Sequence, residues 1–275
     1  MIIGQFSARS IRNQMTSIFN FSPELYFTFF LILLRVSGIF VTAPVLSSEN
    51  VPRALRVYLS ITCALIILSI IEAPKVPLNS TVADYFLLGF KELMVGLLLG
   101  VIPRVMFAAV NFAGTIIGFQ MGLSIANVVD PQTDLQVSII ASFESILATL
   151  LFVVLDGHHI FFEAIMVSYQ KVPIQGFLFT PGKIEFLLRI MGNLVIIGVK
   201  LGSPIIISML LANVIMGFMA RSIPQMNVFI VGFPFTIGLG LILIIIGIPH
   251  MVDALTELYG AFGRQTMQIL DLMAR

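Results

Sequence analysis

The sequence predicts an all-α membrane protein with six to eight helices arranged as broken helical hairpins. Of its 275 residues, 58% are hydrophobic and only 11% are charged, whereas soluble domains carry about 25% charged residues. Apolar runs long enough for a membrane crossing, which takes about 20 residues, recur along the chain. Proline and glycine interrupt these runs, and backbone groups freed at membrane depth must be satisfied by neighbouring protein or by a water-lined cavity.

The helices can be placed in order from their start and stop signals. Residues 1–21 read as a polar N-terminal lead-in. A first helix is expected to begin at Ser22-Pro23-Glu24, because serine caps a helix, proline suits the first position and glutamate faces the positive helix end. This helix is expected to run to about 42, and further helical segments are expected over about 52–71, 81–129, 134–155, 159–170, 182–219 and 228–249, before an amphipathic tail to Arg275.

Two of these segments are too long or too broken to be single membrane crossings. The segment 81–129 exceeds about 20 residues, so we expect at least two helices divided near Pro103. The segment 182–219 is expected to be interrupted at Gly202-Ser203-Pro204.

Charged residues lie within or beside the apolar runs and should face protein or water. Pairing between helices for assembly is one interpretation, and a path for substrate or protons is the other; both stay open. The net charge of +1 provides no basic surface for nucleic acid. The candidate intramembrane charges are Arg35, Glu92, Arg104, Glu144 and Lys200.

Several glycines are spaced by four residues, an interval that lets helix backbones approach closely in lipid. We therefore predict that their helices pack tightly during folding or assembly. The candidate packing positions are Gly96, Gly100, Gly114 and Gly118, with Gly122 continuing the last series.

The sequence contains no recognisable catalytic motif. Its best cluster of chemically active side chains is Asp156-Gly157-His158-His159. Adjacent histidines on a helix point about 100° apart and seldom converge on one ion. The cluster is therefore interpreted as a polar turn between helices, and we expect no catalytic residue, no cofactor and no metal.

Residues 222–235, SIPQMNVFIVGFPF, place polar residues and two prolines in a stretch without charge. Amide side chains can cap freed backbone groups or bridge neighbouring helices, and glycine admits close approach. We interpret the stretch as a bend with amides joining helices; an ordinary loop before a proline-kinked helix is the alternative. The residues assigned to helix packing and assembly here are Pro224, Gln225, Asn227, Gly232 and Pro234.

Five blocks occur in order along the chain: RVSGIFVTAPVLSSENVPRALRV (35–57), KELMVGLLLG (91–100), GFQMGLSIANVVDPQ (118–132), LDGHH (155–159) and ARSIPQMNVFIVGFPFTIGLG (220–240). In order and spacing they resemble the FliR family of flagellar and type III secretion export-apparatus proteins. The most specific block is the Pro-Gln-x-Asn-x-Phe-x-x-Gly-Phe-Pro pattern that begins at Pro224.

This resemblance implies a non-catalytic structural and pore-forming subunit of the flagellar type III protein-export gate. Its implied partners are FliP-like and FliQ-like subunits, an FlhB-like subunit and unfolded export substrates. The implied location is the bacterial inner membrane, in the flagellar basal body. The implied fold is a FliP-like helical part over 22–180, followed by a FliQ-like hairpin and C-terminal tail over 181–275.

A segment of small or apolar residues precedes Asp130-Pro131, a pair that ends one element and can start the next. An apolar constriction can block ions and water by dewetting, and the resemblance also implies a plug-like loop here. Ordinary helix-packing surface is the alternative. The predicted pore-closing residues are Met121, Gly122, Leu123, Ser124, Ile125, Ala126, Asn127, Val128 and Val129.

Two other functions stay open from the residues alone. Discontinuous helices are typical of secondary transporters, which bind a solute near the middle of the membrane. An intramembrane enzyme would use Asp156, His158 and His159. Solute uptake by the chain alone would favour a transporter, and metal-dependent turnover would favour an enzyme.

Overall fold

The computed structural model of the chain describes residues 23–44, 51–71, 81–123, 138–178, 180–223 and 228–274. All regular elements within these ranges are α-helices, which confirms the predicted all-α fold. The seven helices are α1 (Pro23–Thr42), α2 (Arg53–Ile70), α3 (Val82–Gln120), α4 (Ile139–Val154), α5 (Gly157–Lys171), α6 (Pro181–Ser222) and α7 (Val228–Met273).

Five of these helices are long and apolar enough to cross a membrane: α1, α2, α3, α6 and α7. A sixth crossing is possible if α4 and α5 count together, although they bend by 65° at the residues between them. This bent pair is the type of broken helical element that the sequence predicts.

The described residues form two compact units. The first contains the described residues up to Gly100 together with Ile165–Leu178. In it α1 packs against α2, and the inner face of α1 is fully buried at Leu31, Ile32 and Val36. The second unit contains Val101–Ala164 and the described part of Phe179–Met273.

The second unit has an apolar core and an aromatic cluster. In the cluster, Phe152 packs edge-on against Phe107, Phe161 and Tyr259. Helices α6 and α7 pack along each other, and α4 also contacts α7. The core is formed by Ile117, Met121, Ile140, Ile205, Met209 and Ile244.

The prediction that 81–129 divides near Pro103 is wrong, because α3 runs without interruption through this proline. Helix α6 likewise continues through Pro204, and α7 continues through Pro234 and Pro249. Proline removes one backbone hydrogen bond, but tertiary packing in a membrane protein can satisfy the groups it frees. The length argument failed because it assumed that each helix lies wholly in lipid: at 39 residues, α3 is about 58 Å long.

Candidate functional site

A buried ion pair joins α1 to α3 in the first unit. Arg35 Nε donates a hydrogen bond of 2.7 Å to Glu92 Oε2. Arg35 Nη2 lies 2.7 Å from the same oxygen but forms no hydrogen bond with it, so this second contact is ionic. The two side chains are 0% and 1% exposed. Two of the five charges predicted to need partners therefore neutralise each other.

The last turn of α5 completes the shell around Arg35. Arg35 Nη1 donates to Ser168 Oγ at 3.3 Å and to the Val172 carbonyl at 3.0 Å. The guanidinium carbon lies 4.1 Å from the centre of the Tyr169 ring, a cation–π contact. Arg35, on α1, thus contacts groups on α3 and at the end of α5. A buried charge requires such an opposite charge and such hydrogen-bond partners.

Glu92 also receives a hydrogen bond from the turn that follows α5. The Gln175 amide nitrogen donates to Glu92 Oε1 at 3.4 Å, and Gln175 has a φ of 81°. This left-handed conformation is uncommon for a residue with a side chain. The turn is therefore shaped so that its backbone meets the carboxylate.

Glycines let α1 and α3 approach closely beside this ion pair. A Cβ on Gly96 would overlap the carbonyl oxygen of Arg35, and one on Gly38 would lie 3.0 Å from the Leu93 carbonyl oxygen. A Cβ on Gly100 would overlap the Thr42 hydroxyl. Gly96 and Gly100, both predicted packing positions, thus lie in close contact with α1. They allow the helix crossing at which Arg35 reaches Glu92.

Helix α3 ends at Gln120, and Gly122 follows it as the glycine of a Schellman motif. The Gly122 amide donates to the Phe119 carbonyl at 3.0 Å, and the Leu123 amide donates to the Gly118 carbonyl at 3.2 Å. Gly122 has a φ of 83°, the left-handed value this motif requires at its glycine. Gly122 therefore terminates the helix, whereas the four-residue spacing had suggested that it continued a packing series.

Side chains of α6 and α7 hold this helix end. Asn213 Nδ2 donates to the Gln120 carbonyl at 3.3 Å, and Thr236 Oγ1 donates to the Met121 carbonyl at 3.0 Å. These contacts satisfy two of the carbonyls that a helix end leaves without partners. A Cβ on Gly122 would lie 2.8 Å from the Phe233 ring. The start of the predicted pore-closing segment is therefore fixed, while its remainder, Ser124–Val129, lies outside the described residues.

The other two packing glycines of α3 face α4. A Cβ on Gly114 would lie 2.5 Å from the Ala141 Cα atom, and one on Gly118 would overlap the Ser138 hydroxyl. Ser138 is the N-cap of α4 and accepts a hydrogen bond from the Ala141 amide. These glycines thus seat the beginning of α4 against α3.

Glu144 is buried beside Gly114, at 1% exposure. A Cβ on Gly114 would lie 2.9 Å from Glu144 Oε2, so the glycine also makes room for this carboxylate. Neither carboxylate oxygen has a hydrogen-bond partner among the described residues. Glu144 differs in this respect from Glu92.

The remaining predicted charges, Arg104 and Lys200, are exposed. Lys200 lines a groove of about 520 Å³ between α6 and α7, which also contains Glu257, His250 and Asn193. No ion pair joins Lys200 to Glu257, so two opposite charges share this groove without neutralising each other within the described chain.

The polar turn between α4 and α5 brings together three side chains that can bind a metal. One ligand atom each from Asp156, His158 and His159 lies within 4.8 Å of the other two. The two imidazole rings lie 4.3 Å apart between centroids. The sequence argument that adjacent histidines diverge therefore does not hold at this corner.

The assembly residues near the start of α7 are only partly described. Pro224, Gln225 and Asn227 lie outside the described residues. Gly232 and Pro234 lie inside α7, where the Gly232 carbonyl accepts a hydrogen bond from Thr236. Pro234 thus belongs to a continuous helix.

Sequence reasoning missed several residues that position these sites. Ser168, Tyr169 and Gln175 surround the ion pair, while Asn213 and Thr236 hold the end of α3. The available signal was polarity: Asn213 and Thr236 are polar residues within long apolar runs, and a polar group in such a run needs a partner. Their partners lie too far away in sequence to be inferred from spacing.

Comparison with known proteins identifies the family. A family model described as "Bacterial export proteins, family 1" matches residues 26–262. The flagellar biosynthetic protein FliR of Bacillus subtilis (strain 168) is 36% identical over 226 residues, covering 81% of this chain and 86% of the relative. The FliR proteins of Escherichia coli (strain K12) and Pectobacterium carotovorum are 33% and 31% identical, over 78% and 90% of this chain and 81% and 91% of the relatives.

Family and fold together also define a location. The match covers most of the chain, and five described helices are long and apolar enough to cross a membrane. The chain thus belongs to the FliR family of bacterial flagellar export-apparatus proteins and is an inner-membrane component of that apparatus.

Proposed function

We propose that the chain is a non-catalytic structural and pore-forming subunit of the flagellar type III protein-export gate. It assembles with FliP-like and FliQ-like subunits, contacts an FlhB-like subunit and lets unfolded substrates leave the cytoplasm. Residues 22–180 form its FliP-like part, and 181–275 form its FliQ-like hairpin and tail.

The observation that carries this proposal is the exposed apolar surface of α6. Large exposed apolar side chains run from Ile184 to Met219, about 52 Å along the helix. A bilayer core is about 30 Å thick. Even at a tilt of about 40°, the upper end of the usual range, this surface spans about 40 Å across the membrane. Lipid cannot cover it all, so neighbouring protein must cover the remainder.

The groove between α6 and α7 supports the same conclusion. Lys200 and Glu257 lie in one groove without an ion pair between them. Charges beside apolar helix surface are costly unless they meet protein or water. A neighbouring helix that carries one acidic and one basic residue would neutralise both, and FliP-like or FliQ-like subunits would supply such helices.

The segment after Gly122 closes the pore of this gate at rest. Just before this segment, the Gln120 and Met121 carbonyls accept hydrogen bonds from α6 and α7, so the segment begins from a fixed point. Apart from the polar Asn127, the residues that follow, 124–129, are small or apolar. A constriction lined by apolar residues blocks water and ions by dewetting and does not need charged side chains.

Cysteine labelling tests whether protein covers α6. The only cysteine, Cys63, is changed to serine, and single cysteines replace Leu188 or Phe218, which are exposed and about 45 Å apart along α6. Without partners, a membrane-impermeant maleimide should label at least one of the two in intact membranes. With co-expressed FliP-like and FliQ-like subunits, both should be protected.

A matched control position is Glu185, which forms an exposed ion pair with Arg189. Glu185→Cys should stay reactive with and without partners, because its ion pair with Arg189 is more than 70% exposed. Unchanged labelling of both Leu188→Cys and Phe218→Cys when the partners are present would contradict the proposal. We also expect the chain alone to aggregate in detergent and the co-expressed complex to elute as one species.

Deletion of Ser124–Val128 tests the pore-closing segment. The complex should still assemble, because the contacts of Gln120 and Met121 remain, but cells should become permeable to small ions. Membranes that stay tight around an assembled deletion complex would refute this role. Solute uptake by the chain without partners would instead favour a transporter.

A further inference from the structure

The corner between α4 and α5 places three metal-binding side chains around one point. His159 Nδ1 lies 3.4 Å from Asp156 Oδ1, and His158 Nε2 lies 4.0 Å from the same oxygen. In a tetrahedral site with bonds of 2.0–2.1 Å, neighbouring ligand atoms lie about 3.3 Å apart. The first pair is already at this separation, and the second needs a movement of less than about 1 Å. The two imidazole nitrogens lie within 4.8 Å of each other and need to move closer by at most about 1.5 Å.

At these separations the imidazoles and the carboxylate are close together but form no hydrogen bond with each other. Among the described residues, no hydrogen bond involves the side chains of Asp156, His158 or His159. The three side chains thus lie close together, but none of them forms a hydrogen bond with another. A cation held by Asp156 Oδ1, His158 Nε2 and His159 Nδ1 would supply a partner for each of these three atoms.

Backbone geometry brings the three side chains together. Asp156 has a φ of 55°, a left-handed conformation that aspartate adopts more readily than most residues. Its carbonyl accepts a hydrogen bond of 2.9 Å from the His159 amide, which begins the first turn of α5. A Cβ on Gly157 would overlap the Phe152 ring, so glycine is needed for this tight corner.

Solvent can reach the cluster. The side chains of Asp156 and His159 are 71% and 70% exposed, and that of His158 is 44% exposed. An ion can therefore enter without opening the helix core, and a water molecule can occupy a fourth position.

We propose that Asp156 Oδ1, His158 Nε2 and His159 Nδ1 form a binding site for a divalent transition-metal cation of the zinc class. Two imidazoles and one carboxylate suit Zn²⁺, Co²⁺ and Cu²⁺ better than the oxygen-preferring Mg²⁺ and Ca²⁺. The bound ion joins Asp156, in the two-residue link between α4 and α5, to the first turn of α5 and thereby fixes the 65° bend between these helices.

The third histidine of the chain provides a matched control. His250 lies in α7, is not one of the three grouped ligand residues, and is also exposed. The complete chain, purified with its co-expressed partners and without a histidine tag, is stripped with chelator and titrated with Zn²⁺ by calorimetry. One equivalent should bind to the wild type, and His158→Gln, His159→Gln and Asp156→Asn should each weaken binding at least about tenfold. His250→Gln should bind as the wild type does.

A second measurement uses only the wild-type chain and so does not depend on the variants assembling. Cu²⁺ with ascorbate oxidises histidines that hold the metal, and mass spectrometry locates the modified residues. Oxidation should occur at His158 and His159 and not at His250, although all three are exposed to some degree. Equal oxidation of all three, or Zn²⁺ binding that His158→Gln and His159→Gln leave unchanged, would overturn the site.

Discussion

Two glutamates, Glu92 in the first compact unit and Glu144 in the second, are equally buried at 1% exposure. Their surroundings differ. Glu92 receives Arg35 and the Gln175 amide, whereas neither oxygen of Glu144 has a hydrogen-bond partner within the described chain. Both lie near a glycine of α3, Gly96 and Gly114 respectively.

The two glycines accommodate different groups. Gly96 allows α1 to approach until the Arg35 backbone touches it, which brings the opposite charge within reach. Gly114 allows the Ala141 backbone of α4 to approach and also leaves space for the Glu144 carboxylate. The same four-residue glycine spacing can therefore serve an ion pair in one unit and accommodate an unpaired acid in the other. Spacing alone predicts close approach but not its purpose.

The largest expected loss of stability follows from removing the counter-charge of Arg35. Glu92→Gln leaves a buried arginine without its counter-charge, which typically costs about 3–5 kcal/mol. The thermal midpoint of the detergent-solubilised complex and the amount of chain in membranes should both fall markedly. The double variant Arg35→Met with Glu92→Leu should recover most of the loss, because it removes both charges. A single variant as stable as the wild type would show that the pair contributes little.

The next effect concerns the helix crossing beside the pair. A Cβ at Gly96 overlaps the Arg35 carbonyl, so Gly96→Ala should destabilise by about 1–3 kcal/mol through overpacking. Gly192 in α6 has no atom within 4 Å of its added Cβ and is the matched control. Gly192→Ala should leave stability unchanged or raise it, since alanine favours helix. Thermal unfolding of both variants checks the opposite signs.

A smaller effect is expected at the end of α3. Gly122 has a φ of 83°, and an alanine there should cost about 1–2 kcal/mol. Because the same residue leads into the proposed pore-closing segment, ion leakage should rise in assembled Gly122→Ala complexes. Gly238→Ala, in an open part of α7, should affect neither measurement. If membranes containing the Gly122→Ala complex do not leak ions, the conformation of Gly122 ends the helix but has no role in closing the pore.

The smallest effect is expected at the unpaired acid. Glu144→Gln retains the shape of the side chain and removes a charge that has no partner in the described chain. Its stability should change by less than about 0.5 kcal/mol or increase. Comparison of its thermal midpoint with that of Glu92→Gln tests the contrast directly. A large loss would mean that a neighbouring subunit or an undescribed residue pairs with Glu144.

Many helix limits followed from local signals. The first helix begins at Pro23 and ends at Thr42, close to its predicted limits, because proline, glutamate and the following Ala43-Pro44 act within a few residues. The division at Pro103 was wrong because a proline is a local signal whose cost depends on distant packing. The corner at Asp156 was expected as a turn, but the convergence of its ligand atoms depends on a left-handed φ that the residue type does not dictate.

The sequence by itself determined that this is an all-α membrane protein of the FliR family, because hydropathy and motif order are properties of neighbouring residues. Only the tertiary structure decided which charges meet. Arg35 finds Glu92 across 57 positions and Val172 across 137, while Glu144 finds no hydrogen-bond partner in the described residues. The physical reason is that a buried charge is stabilised by groups brought to it through helix packing, and no local pattern records which groups those are.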